Sequence, residues 1–235
     1  MDERDITQEM RWYYEVRAQA VIKNLLKRQM KAQYCPSRQE ALATVMGMIP
    51  PMATVARGDS VSIDQVGVPE ELLKRGQNKL INPIQRDEKG YFAYDEEDRY
   101  RMEREAFFAD IFITSTNAIT LDGKLVSIDG HGNRVSAMVF GPRKIIVIVG
   151  ANKIVRDVDE ALTRIHNVTA PVNAMRHYLK HNMKEGGDLP CVKGGSCVDC
   201  HHPERQCRYT VIIEGSGSMD PGRFEVVLVG EALGI

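Results

Sequence analysis

Four of the chain's five cysteines, Cys191, Cys197, Cys200 and Cys207, crowd into one short window, while Cys35 stands alone. In a reducing compartment, clustered cysteines read as metal ligands or redox groups before they read as disulfides. The Cys197-Val198-Asp199-Cys200 pair lets two thiolates reach one metal from a tight turn, and the flanking cysteines complete a tetrahedral set. Gly194 and Gly195 give the loop freedom to wrap. Four soft thiolates suit Zn²⁺ or an iron–sulfur cluster, and the spacing follows neither common ferredoxin pattern, so it does not choose between them. His201 and His202 are alternative ligands for one position. Zinc held this way would be structural, because no coordination position stays open. A cluster would instead make the chain an electron carrier or sensor. A redox disulfide and unoccupied thiols are the competing readings. Cys35, before Pro36, reads first as a small buried hydrophobe, with an approach to the metal site as the alternative.

A second set of residues suits an anionic small molecule. Ser115, Thr116, Asn117 and Thr120 follow the β-type stretch Ala109–Thr114, and Asn152 and Lys153 follow the apolar run Lys144–Val149. In open α/β sheets, ligands bind beyond the carboxyl ends of strands. Hydroxyls and amides there donate to a carboxylate or phosphate without adding charge. The plainer alternative is that they satisfy local backbone groups in turns. Gly58 and Ser60 lie between a short strand and a helix start, where free backbone N–H groups can meet an anion. Asp129, Asn133 and Arg134 belong to a glycine-containing segment that reads as a ligand loop, with Arg134 as a carboxylate clamp. Glycines serve plain turns as well, and His131 is given no role. No nucleophile motif stands out, so no catalytic residue is named.

The elements that must position these groups are legible in outline. Met10, Tyr14, Ala18, Val21 and Leu25 form an apolar stripe on a helix expected from Asp5 to Lys31, widened by Trp12 and Tyr13. That helix packs on the core or pairs with a second copy in a homodimer. Ser37 and Glu40 form a capping box for a second helix that ends before Pro50, and Ser62 with Gln65 is expected to cap another. A charged helix runs from Asp95 to Phe108. Ile119–Val126 reads as a hairpin with Asp122-Gly123 as its two-residue turn. Lys144–Val149 has the pattern of a strand covered on both faces. Helices are expected from Asp157 to Ile165 and from about Pro171, and Tyr209–Ile213 and Phe224–Val229 read as the last strands. Helices alternating with apolar strands predict an α/β domain.

The 235 residues are 43% hydrophobic and 27% charged, which excludes a wholly disordered chain and fits a single domain. We divide it into a helical N-terminal extension over 1–36, the main body, and a cysteine-rich insertion over 186–208. With 31 Lys+Arg against 32 Asp+Glu there is no basic excess to attract nucleic acid. The longest apolar run, Ile145–Val149, falls far short of the roughly 20 residues of a spanning helix. Met1–Asp5 is acidic and lacks an apolar leader, so a cytoplasmic protein is expected.

The stretch from Thr116 to Val135 resembles the signature of the LUD domain family, named for lactate utilization. Phe140–Lys144, Gly150–Val155 and Ala170–Ala174 continue the resemblance in order. It implies an α/β layered sheet with helices on both faces, similar to the ribose-phosphate isomerase and CoA-transferase group, here preceded by a long N-terminal helix. It also implies a role beside iron–sulfur proteins in oxidizing lactate-type organic acids. The cysteine window departs from the lactate-operon type of the family. Two alternatives stand beside that role: a non-catalytic metal- or cluster-bearing accessory subunit of an iron–sulfur oxidoreductase, and a CoA-transferase- or isomerase-like enzyme.

Overall fold

A computed structural model describes residues 3–180 and 187–235. The first two residues of the N-terminal extension and the first of the cysteine-rich insertion, Gly186, lie outside the described residues. Six parallel strands form the main sheet: β1 (Lys31–Cys35), β2 (Thr54–Arg57), β3 (Lys79–Ile81), β4 (Ile111–Thr114), β7 (Lys144–Gly150) and β10 (Phe224–Val229). Their order across the sheet is β1-β10-β7-β4-β2-β3. The second sheet, in the order β8-β5-β6-β9, has four strands: β5 (Ala118–Thr120), β6 (Leu125–Asp129), β8 (Ile154–Val155) and β9 (Tyr209–Ile213). Tyr209–Ile213 therefore pairs with the hairpin strand β6, not with its sequence neighbour β10.

β7 shows why the main sheet is buried on both faces. Ile145, Val147 and Val149 pack with Phe224, Val226 and Leu228 against Ala18, Val21 and Leu25 of helix α1 (Thr7–Lys27). Ile146 and Ile148 point the other way, toward Val45 of α2 (Arg38–Met48), Ile63 of α3 (Val61–Val66) and Leu72 of α4 (Val68–Arg75). Alternate residues of one strand thus serve two cores, which explains its unbroken apolar run. A smaller cluster joins Ala118, Val126 and Val155 of the second sheet to Ala161 of α7 (Val158–Arg164). Among the described residues, no helix is long and apolar enough to cross a membrane.

Several boundaries differ from expectation. The N-terminal helix stops at Lys27, because Lys31–Cys35 turns into an edge strand that pairs with Glu225–Val229. Only the later part of its apolar stripe is buried, and Trp12 is 72% exposed. Ser37 caps α2 as expected, accepting from the Glu40 N–H at 3.3 Å. Ser62 caps nothing: Ser60 occupies the N-cap of α3, and Ser62 lies inside that helix, fully buried. The hairpin loop has three residues, Leu121 to Gly123, closed by the Thr120 N–H bonding to Lys124 O at 3.0 Å. Gly123 sits at φ +86°, and a Cβ there would meet the backbone of Asn24 at 3.0 Å, so both conformation and packing demand glycine.

Candidate functional site

The carboxyl ends of β2, β4 and β7 deliver Arg57, Ser115 and Lys153 to one cavity of about 430 Å³. The end of β6 with its following loop forms another wall, and α5 (Glu96–Glu105) and α8 (Ala170–Lys180) complete the lining. The size lies in the range of small-molecule sites. Five guanidinium groups, those of Arg57, Arg99, Arg134, Arg176 and Arg208, and the Lys153 side chain share the lining with four carboxylates, those of Asp59, Glu96, Glu103 and Asp129. The lining therefore favours an anion.

Lys153 stands on the short turn after β7 and is 4% exposed. Its Nζ donates to Ser62 Oγ at 2.9 Å and Ser115 Oγ at 3.1 Å. Burial, reinforced by the charges of Arg164 and Arg134, lowers its pKa to about 7. Arg57, also buried, pairs with Asp64 at 2.5 Å through Nη1, but its Nη2 is buried without a hydrogen-bond partner among the described residues.

Opposite charges balance elsewhere on the wall. Arg176 grips Asp59 with two hydrogen bonds, at 2.8 and 3.0 Å. Burial alone would raise Asp59, but Arg176 outweighs it and holds the carboxyl below its ordinary value. Burial lowers His177, against the pull of Asp59. Burial likewise raises Glu103, only partly offset by His131 and Arg99. Phe92 closes the rim between the guanidinium groups of Arg86, 3.5 Å from its ring centre, and Arg99, at 3.8 Å.

Most of the residues singled out from the sequence meet here: Gly58, Ser60, Ser115, Thr116, Asn117, Asp129, Asn133, Arg134 and Lys153 all line the cavity. Several spend their polar groups on the protein itself. Arg134 donates to Ser115 O at 2.9 Å, Ile128 O at 2.7 Å and Asn117 Oδ1 at 3.1 Å, so its charge reaches the cavity while its donors are committed. Asn117 Oδ1 also accepts from the Ile128 N–H at 2.8 Å. Thr116 Oγ1 bonds Ala118 O and Val126 O. Asp129 accepts from the His131 and Gly132 N–H groups, which fixes the loop. Gly58 packs against the Arg134 side chain, where a Cβ would meet Cγ at 3.0 Å.

Thr120 and Asn152 are not among the lining residues. Thr120 bonds Asp122 in the hairpin turn, and Asn152 Oδ1 accepts from the Leu233 N–H at 3.0 Å. Sequence reasoning passed over Arg57, Arg176 and His177. Arg57 carries a usable signal, a cation closing an apolar strand just before Gly58. The partnership of Asp59 with Arg176 spans 117 positions and has none.

With this geometry in view, the comparisons decide the family. A family model for the LUD domain matches residues 18–229. The chain belongs to the LUD domain family. A crystal structure of a DUF162 family protein from Deinococcus radiodurans resembles this LUD domain with a TM-score of 0.50 and 15% identity, over 92% of this chain and 98% of that one. At that identity the likeness concerns the fold, an α/β sheet flanked by helices. Comparison with curated proteins finds no match.

The LUD domain carries its cysteine window beside the cavity. Cys191, Cys197, Cys200 and Cys207 are free thiols and line one small pocket, which shares Ala170 and Gln206 with the larger cavity. Burial and the neighbouring thiols, Cys200 foremost, push the Cys191 thiol up. Arg205 bridges Cys200 O at 2.5 Å and Cys207 O at 3.1 Å. Among the described residues, no three His, Cys, Asp or Glu side chains are gathered to hold a metal ion. Cys35 stays apart, buried in the core and bonded to Thr44.

Proposed function

We propose that this LUD domain binds a small carboxylate or phosphate in the cavity between its two sheets and acts in redox metabolism of lactate-type organic acids. The observation that carries the reading is Arg57, which lines the cavity and whose buried Nη2 group has no hydrogen-bond partner among the described residues. A donor left unmet in the interior costs on the order of 1–3 kcal/mol, and an anion oxygen removes that cost. The surplus of cations on the wall supports the same reading, and the family's association with lactate utilization supplies the class of acid. Calorimetric titration with lactate, pyruvate and inorganic phosphate tests it. Arg57→Gln is expected to weaken binding by about tenfold or more, the worth of one hydrogen bond to a charged group. Equal affinity in wild type and variant defeats the proposal.

A second reading concerns the cysteine pocket, because four free thiols line the same small space. We propose that they take Zn²⁺ or an iron–sulfur cluster, the latter fitting an accessory subunit that docks on an iron–sulfur oxidoreductase. The donor chemistry is right for either, and the loop must draw the thiols together as the metal enters. Anaerobic protein analysed for iron, zinc and acid-labile sulfide tests this. Stoichiometric metal lost in Cys197→Ala and Cys200→Ala is the expected result, and metal-free protein overturns it.

A further inference from the structure

A buried lysine ordinarily sits against a carboxylate, since an unpaired ammonium in the interior is costly. Lys153 instead has two hydroxyl partners, Ser62 Oγ and Ser115 Oγ. A hydroxyl accepts from an ammonium or donates to the lone pair of an amine, so this pair tolerates both states. The nearby guanidinium groups of Arg134 and Arg164 oppose the ammonium. The amine is therefore well populated at neutral pH, and the group lines a cavity large enough for a small acid. A desolvated lysine held near neutrality is the usual nucleophile toward carbonyl carbon.

We infer that Lys153 forms an imine with the keto group of a short 2-oxo acid whose carboxylate lies against Arg57. The Nζ lone pair adds to the keto carbon to give a carbinolamine. One nitrogen hydrogen passes to the keto oxygen as the carbinolamine forms, and the second leaves with that hydroxyl as one water, so C=O has become C=N. Carbon and nitrogen keep their oxidation states, so no oxidant or reductant is required. Ser62 and Ser115, already bonded to Nζ, are placed to pass the protons. The imine withdraws electrons from the carbons on either side, which eases loss of a neighbouring proton. This deepens the proposal above and rests on its carboxylate-binding cavity.

The test incubates the full chain with pyruvate and sodium cyanoborohydride, which reduces the imine to a stable amine. The expected result is a mass gain equal to pyruvate less one oxygen atom, mapped by peptide digestion to Lys153 and absent from Lys153→Gln. Should that variant fail to fold, the peptide map of the wild type decides alone. Trapping confined to other lysines overturns the inference. Calorimetric titration with pyruvate, without the reductant, separates the two ideas. Pyruvate that binds yet is never trapped, or that fails to bind where lactate or phosphate does, sinks the imine and leaves the anion site standing, whereas binding of none of the three sinks both.

Discussion

The cavity around Lys153 and the cysteine pocket touch through Ala170 and Gln206, yet they are held together by different kinds of bond. At the cavity the polar groups are fixed from far along the chain. Lys153 reaches Ser62 across 91 positions, Ser115 across 38, and Arg134 reaches Ser115 O across 19. From Cys197 to Cys207 the side-chain hydrogen bonds among the described residues are local, the widest being Arg205 to Asp199 over six positions. The first site is thus a product of the whole fold. The second packs on the body through Cys207 but holds its own side chains by local bonds, so its chemistry waits on something that bridges the thiols.

The largest expected effect tests this contrast directly. Arg134→Ala strips donors from Ser115 O and Ile128 O at the junction of the two sheets, and should cost ~3–5 kcal/mol in urea unfolding. Cys200→Ala, in protein freed of metal, should stay within ~0.5 kcal/mol. Similar losses for both variants would break the contrast. Asn117→Ala should likewise reach stability as well as ligand binding, since both side chains brace the wall.

The next effect depends on pH. Lys153 titrates at about 7 in the fold against 10.5 when free. Below about 7 both states hold the proton and the penalty of burying the charge is complete. Above it the folded state sheds its proton first, the unfolded state binds more, and stability rises with pH. Between about 7 and 10.5 the gain from this residue is ~1.4 kcal/mol per pH unit. Lys153→Met should flatten that slope in unfolding curves measured across the range, and an unchanged slope would place the titration elsewhere.

The smallest effect compares two glycines. A Cβ at Gly58 meets the Arg134 side chain at 3.0 Å, whereas one at Gly194, beside the cysteines, meets nothing within 4 Å. Gly58→Ala should cost ~1–2 kcal/mol through overpacking, and Gly194→Ala should be neutral or stabilizing by up to ~1 kcal/mol. Thermal denaturation of the two variants sharpens the contrast between a tightly packed wall and the open end of the short helix Pro190–Gly194.

Much of the frame was readable because it follows short-range rules. β7 announces itself by an apolar run, α2 by Ser37 and Glu40, and the strand-end rule led to Ser115, Asn117 and Lys153. Lys31–Cys35 was missed because its half-exposed residues lack the pattern of a buried strand, as befits a sheet edge paired on one side by β10. Ser62 looked like a cap because capping motifs ignore register, and here Ser60 claims the cap while Ser62 serves Lys153. Thr120 and Asn152 have the right chemistry at nearly the right place, but each is absorbed by a turn. The role of Arg57 needed three dimensions, since only coordinates show which of its nitrogens is left over.

The place of β10 carries a consequence for biosynthesis. Among the described residues, β1 has a single hydrogen-bonded neighbour, and that neighbour is β10. On the ribosome, Lys31–Cys35 must therefore remain an unmatched strand edge until Phe224–Val229 has emerged, long after most of the chain has been made. During that interval the nascent protein offers a ready template to other strands, and shielding that edge becomes a task for chaperones.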